Sequence, residues 1–190
     1  MSRWRFYHHF RTDHLSPLRF PQVGVRTPVM SNDGLDYAAA LQTIIEIGDE
    51  RALFNAIDEA FPGCQLIIKS EHSRFEVLLQ QPGIKRPLEA RELSDGTLRY
   101  LCLIAALLSP RPPEFLAINE PEMSLHPDLI APLANLIVKA SKNSQIWVTT
   151  HSLGLCECLR EITQRASIVL CKNEGCTEIQ NAPKFVFDAK

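Results

Sequence analysis

The chain reads as an α/β protein, a parallel sheet with flanking helices, and three observations lead there. After Arg91, short apolar runs alternate with helical stretches, the rhythm that lays strands side by side in parallel. Runs such as Phe115-Leu116-Ala117-Ile118 lack polar alternation, as strands covered on both faces do. Two of these runs end in polar residues, at Asn119-Glu120 and at Thr149-Thr150-His151, and ligands bind at the carboxyl edge of such sheets.

Taken in order, residues 1–35 hold Arg3, Arg5, Arg11, Arg19 and Arg26 with Pro17, Pro21 and Pro28. They keep neither helical nor strand period for long and read as an irregular N-terminal arm. Trp4, Phe6, Tyr7 and Phe10 imply that the arm packs against something. Residues 36–91 read as a helical and β-hairpin subdomain. Leu41, Ile44, Ile45, Ala52, Phe54, Ile57 and Phe61 recur at helical spacing, Gly48 splits the run into two helices, and Pro62-Gly63 stops the second. Segments 65–69 and 75–79, rich in β-branched and aliphatic residues and separated by polar 70–74, predict a hairpin. Residues 82–91 continue this irregular or β region. Residues 92–190 supply the α/β part: a helix over 95–108, a strand over 115–118, a helix from Pro127, a strand over 145–149, a helix over 153–162 and a strand over 167–171.

At 190 residues and 45% hydrophobic content, one well-buried core is affordable, and length alone does not argue for two domains. A formal charge of -2 and a pI near 6.3 supply no global field for nucleic acid or an anionic membrane, so any basic surface is local. No long apolar run spans a membrane, and the aromatic, basic opening lacks the apolar stretch of a secretory signal, which makes the protein read as cytoplasmic. Cys64, Cys102, Cys156, Cys158, Cys171 and Cys176 show no CxxC pairing and read as reduced, buried thiols without a metal.

The chemistry concentrates between Glu92 and Ser152. Leu93-Ser94-Asp95-Gly96-Thr97 precedes the long helix, so Ser94 or Asp95 caps it and Gly96 leaves its amides open. A helix N-terminus of this kind meets the physical requirement for holding phosphate, although in isolation it is an ordinary cap. Phe115 to Ile118 delivers Asn119-Glu120-Pro121-Glu122 at a strand end, where Glu120 can orient a water for attack on a γ-phosphate and Asn119 can hold the magnesium shell. In isolation this is a strand ending in a solvated turn. Ile146 to Ser152 repeats the device, and His151 can donate to a phosphate oxygen.

The fixed order of these segments resembles ABC-type ATPases of the RecF/SMC-like branch, in particular predicted ATPases of the AAA_21 kind. Leu93-Ser94-Asp95-Gly96-Thr97 resembles their signature motif, Asn119-Glu120-Pro121-Glu122 their Walker B, Ser124-Leu125-His126-Pro127 their D-loop and Thr150-His151-Ser152 their His switch. The resemblance implies a P-loop-NTPase-like sheet and a site for ATP and Mg2+ shared by two protomers, with a homo-oligomer in the full-length form. It implies that Ser94, Asp95 and Gly96 meet nucleotide in trans, that Glu120 and His151 act on nucleotide in cis, that Asn119 serves the metal, and that Ser124 and His126 communicate across the dimer.

Two departures stand out. Asn119 replaces the usual Asp, weakening metal coordination. No Gly-Lys pair occurs anywhere, so the Walker A cradle is absent. The chain therefore resembles a C-terminal portion of a larger ATPase whose sheet is incomplete. The resemblance places the missing P-loop strand beside strands 145–149 and 167–171, leaving both with exposed edges. Three functional expectations follow: an ATPase half that needs a P-loop-bearing partner or lobe, a non-hydrolysing interaction module, and a DNA-associated subunit working through the arm's arginines.

Overall fold

The structure is a computed structural model that describes residues 4–173 and 175–180. With elements numbered in chain order, its centre is a three-stranded parallel sheet in which β6 (Phe115–Asn119) lies between β1 (Trp4–Tyr7) and β7 (Gln145–Thr149). The register lines up Arg5, Leu116 and Ile146 in one row and Tyr7, Ile118 and Val148 in another. These rows face the core, where Tyr7, Leu116 and Ile118 are buried. The alternate rows, Trp4-Phe115-Gln145 and Phe6-Ala117-Trp147, turn the other way.

Beneath the buried rows runs α3 (Asp95–Leu107), in which every residue from Leu98 to Leu107 is buried. Burial on all sides explains why this stretch, Arg99 excepted, is apolar around its circumference, each enclosed leucine contributing roughly 1.5–3 kcal/mol. It packs against α1 (Tyr37–Ile47) and α4 (Ile130–Ala140), while α5 (Leu153–Thr163) packs on α4 and α2 (Glu50–Ala60) touches both α1 and α4. Gly48 separates α1 from α2, and Asp49 caps α2 by accepting from the Ala52 amide.

A second sheet places β4 (Arg74–Gln80) between β2 (Gln22–Val23) and β3 (Gln65–Glu71), with β5 (Leu88–Glu89) also on β4. The β3–β4 hairpin closes through His72 and Ser73, with φ of 47° and 59°, the left-handed pair that a tight two-residue hairpin turn demands. One continuous core links all of these parts, from Tyr7 and Phe10 through Leu41, Leu79 and Leu101 to Leu155.

Four expectations need correction. The arm is not irregular throughout, since Trp4–Tyr7 is a sheet strand. Four residues are too few to register a period of two, and pairing with β6 supplies the backbone partners that make it a strand. The parallel sheet is covered on one face only among the described residues, because the helices packed on it lie on the side of Leu116 and Ile118. Segment 167–171 does not extend that sheet: β8 (Leu170–Asn173) pairs antiparallel with β9 (Cys176–Ile179) in a separate ribbon. Of the six cysteines only Cys102 is buried, where its surroundings push the thiol pKa up. A smaller refinement is that Pro127–Leu129 forms a 3-10 turn before α4 begins.

Candidate functional site

Two adjacent strands end side by side. Asn119 closes β6 opposite Thr149 of β7, and the Thr149 hydroxyl donates to Asn119 Oδ1 at 2.6 Å. The next residue, Glu120, donates its amide to Thr149 O at 2.8 Å and turns the chain through a positive φ of 44°. That conformation is strained for a residue that carries a Cβ and survives only where neighbours enforce it. One neighbour is Arg99 of α3, buried beneath the sheet, whose Nη2 donates to Glu120 O at 3.0 Å. Burial lowers the Arg99 pKa from its usual value.

The turn brings Glu120 Oε1 to 3.5 Å from His151 Nε2, with side chains 36% and 92% exposed respectively. A carboxylate and an imidazole so placed, open to solvent at a sheet's carboxyl edge, can share a proton and orient a water. Sequence reasoning passed over Glu122. Its Oε1 accepts from the Thr150 hydroxyl, from the His151 amide at 3.3 Å and from the Ser152 amide at 3.2 Å. The second acid of the Asn-Glu-Pro-Glu run was the available signal, but its partners lie 28 to 30 positions away and meet it only after β7 pairs with β6.

A second cluster surrounds the start of α3. Ser94 is the N-cap, its Oγ accepting from the Thr97 amide at 3.1 Å. Gly96 is held against the loop that follows β6: a Cβ there would stand 2.5 Å from Ser124 O. Ser124 itself has a φ of 64°. Between them opens a groove of about 680 Å³ whose walls include Ser94, Gly96, Ser124, His126 and Asp128. Asp95 is engaged within the chain by Arg19, whose side chain is 7% exposed. The same guanidinium donates to Leu93 O and Thr12 O, each at 2.7 Å. His126 caps the turn before α4, Nδ1 accepting from the Asp128 amide at 3.3 Å.

Asn119, Glu120 and His151 thus form one cluster, and Ser94, Gly96, Ser124 and His126 form another. The loop 120–126 joins them, and Arg99 ties α3 to the first. Asp95 lines the same groove as the second cluster, its carboxylate paired with Arg19. Among the described residues no group of three metal-ligating side chains converges.

A parallel α/β sheet with flanking helices and polar residues gathered at its carboxyl edge places the chain among the P-loop-ATPase-like folds. The chain matches the family model described as AAA domain, putative AbiEii toxin, Type IV TA system, over residues 1–157, and it belongs to that family. No curated protein matches it. Among solved structures it is similar to an SMC head bound to the C-winged helix domain of ScpA, with TM-score 0.58, 18% identity, and coverage of 80% of this chain and 54% of that one. A structure concerned with ATP-driven dimerization and DNA-stimulated activation of SMC ATPases matches with TM-score 0.56, 17% identity, and coverage of 74% and 88%. The SMC head of Pyrococcus furiosus, bound to the C-terminal domain of ScpA, gives 0.54, 20%, 74% and 35%. The likeness is one of fold. The chain spans about half the length of the first of these heads. No helix among the described residues is long and apolar enough to cross a membrane.

Proposed function

We propose that this chain supplies the signature, Walker B glutamate and His switch of an ATP site whose phosphate cradle comes from another chain segment, a P-loop-bearing partner or lobe. The observation that carries the reading is the approach of Glu120 to His151, 3.5 Å apart at the ends of adjacent parallel strands. Glu120 acts as the base that orients water, and His151 answers to the γ-phosphate. Ser94 and Gly96 offer the open start of α3 to a nucleotide held by a second protomer, with Ser124 and His126 beside them on the groove.

The donor set suits magnesium in a limited way. Asn119 Oδ1 accepts one hydrogen bond from Thr149, and its remaining lone pair suits a magnesium-bound water. The ion, when bound with ATP, supplies charge neutralisation of the phosphates. This chain's own part is to hold a water and a proton at Glu120 and His151.

The sheet supports the need for another segment. Among the described residues β7 has no strand on its outer edge, and Trp4, Phe6 and Trp147 are 57%, 51% and 56% exposed on the uncovered face. Trp4 and Phe6 stack around Phe115, with centroids 5.4 and 6.1 Å from it. An apolar face of this kind on a parallel sheet suits a covering helix.

Isothermal titration with ATP and magnesium tests the reading: the chain alone is expected to bind weakly, and tight binding would overturn it. A second reading, a non-hydrolysing interaction module, is favoured by the neutral amide at Asn119. It prevails if a P-loop-bearing partner associates stably in size-exclusion chromatography yet restores no turnover. The DNA reading draws less support, because Arg11, Arg19 and Arg26 are paired with Asp13, Asp95 and Glu46.

A further inference from the structure

His151 presents an imidazole that is 92% exposed, so side-chain packing does not fix its place. What fixes it is its backbone, and the backbone is held by one carboxylate. Glu122 Oε1 gathers the Thr150 hydroxyl and the amides of His151 and Ser152, and Ser152 then caps α5 through the Leu155 amide at 3.2 Å. On the other strand, Glu120 occupies the left-handed region, and its carbonyl is gripped by Arg99 from α3. Glu122 Oε2 and Arg99 Nε are both buried without a hydrogen-bond partner, and the two side chains lie within electrostatic reach of each other. Removing either charge leaves the other desolvated without its counter-charge, which is costly.

We propose that Glu122 is the positioning residue for His151 and Arg99 its counterpart for Glu120, so that both strand-end turns are set as one unit against α3. The proposal rests on the ATP-site reading for its chemistry, and on the geometry alone for its mechanical part. Because α3 begins at the groove of Ser94 and Gly96 and carries Arg99 one turn further on, whatever engages that groove acts on the Glu120–His151 pair through a rigid helix.

Amide hydrogen exchange on the chain itself, with turnover measured beside a P-loop-bearing partner, tests this. In Glu122→Ala, exchange at His151 and Ser152 is expected to rise about tenfold or more, the loss of hydrogen bonds to a charged acceptor. Partnered turnover is expected to lose about tenfold in kcat with KM held within about twofold, since only an arrangement used in the reaction is disturbed. Glu122→Gln keeps an acceptor oxygen and is expected to restore both. Arg99→Lys, which keeps charge and a donor, is expected to hold protection at Met123, whose amide shares the Glu120 carbonyl at 3.1 Å, whereas Arg99→Met is expected to lose it. Unchanged exchange at 151 and 152 in Glu122→Ala overturns the proposal. So does raised exchange with unchanged kcat. If the wild-type chain turns over with no partner at all, the ATP-site reading fails, and the exchange data alone decide the positioning roles.

Discussion

Glu120 shows how a single residue's surroundings set its chemistry. Its left-handed backbone, its bond to Thr149 O and its Arg99-held carbonyl aim the carboxylate out toward His151. Replacing Glu120 with Gln keeps this frame and removes the base, so phosphate release by the partnered chain is expected to fall by roughly 10²–10⁴-fold. Unchanged release would remove the catalytic role. Gly96 tests the adjacent groove. A methyl there meets the Ser124 carbonyl, a backbone atom that a rotamer change cannot move aside. Gly96→Ala is therefore expected to destabilise the chain by about 1–3 kcal/mol in urea unfolding, despite the better helix propensity of alanine.

The turn before α3 is where elements are fastened together. Arg19, from the 3-10 turn Pro17–Arg19, reaches the carbonyls of Thr12, Ala90 and Leu93 as well as Asp95. Arg19→Met removes a fork that one Lys cannot replace and takes its donors from the buried Leu93 carbonyl and the part-buried Thr12 carbonyl. Denaturant titration is expected to show a loss of about 2–4 kcal/mol. Just upstream, Glu92 closes a capping box with Glu89 and accepts two bonds from Arg86, at 2.7 and 2.6 Å. The Arg86 guanidinium, then the Glu89 amide, pull the Glu92 pKa from 4.5 down to about 2. A depressed carboxylate stabilises the fold fully above its unfolded value and loses that stability as pH falls toward the folded value. Between about pH 4.5 and 2, the stability of Glu92→Gln is expected to fall less steeply than that of the wild type; parallel curves would refute the link.

At the scale of the whole molecule, the parallel sheet has, among the described residues, a covered face and an open one. Trp147 stands 56% exposed on the open face, on a strand with no outer neighbour among the described residues. Exposed edges of this type invite pairing with other chains. Trp147→Lys is expected to reduce light scattering of concentrated protein with little change in melting temperature, because the side chain adds little to the core. Equal scattering in both proteins would place self-association elsewhere.

Much of this architecture could be read directly from residue order. The alternation after Arg91, the Ser94 cap, the breaks at Gly48 and Pro62, and the polar ends of the 115–118 and 145–149 runs are local signals, set by period, capping and turn chemistry within a few residues. The family resemblance lay in the same stretches. Tertiary structure alone decided the rest. It made Trp4–Tyr7 a strand, since only pairing with β6 satisfies its backbone. It sent Leu170–Asn173 into a separate ribbon and, among the described residues, left one sheet face bare. It also joined Glu122 to the His151 turn and Arg19 to Asp95. Each of these is a contact between residues distant in sequence, and such contacts leave no periodic trace because their energy exists only once the chain has closed the intervening loop.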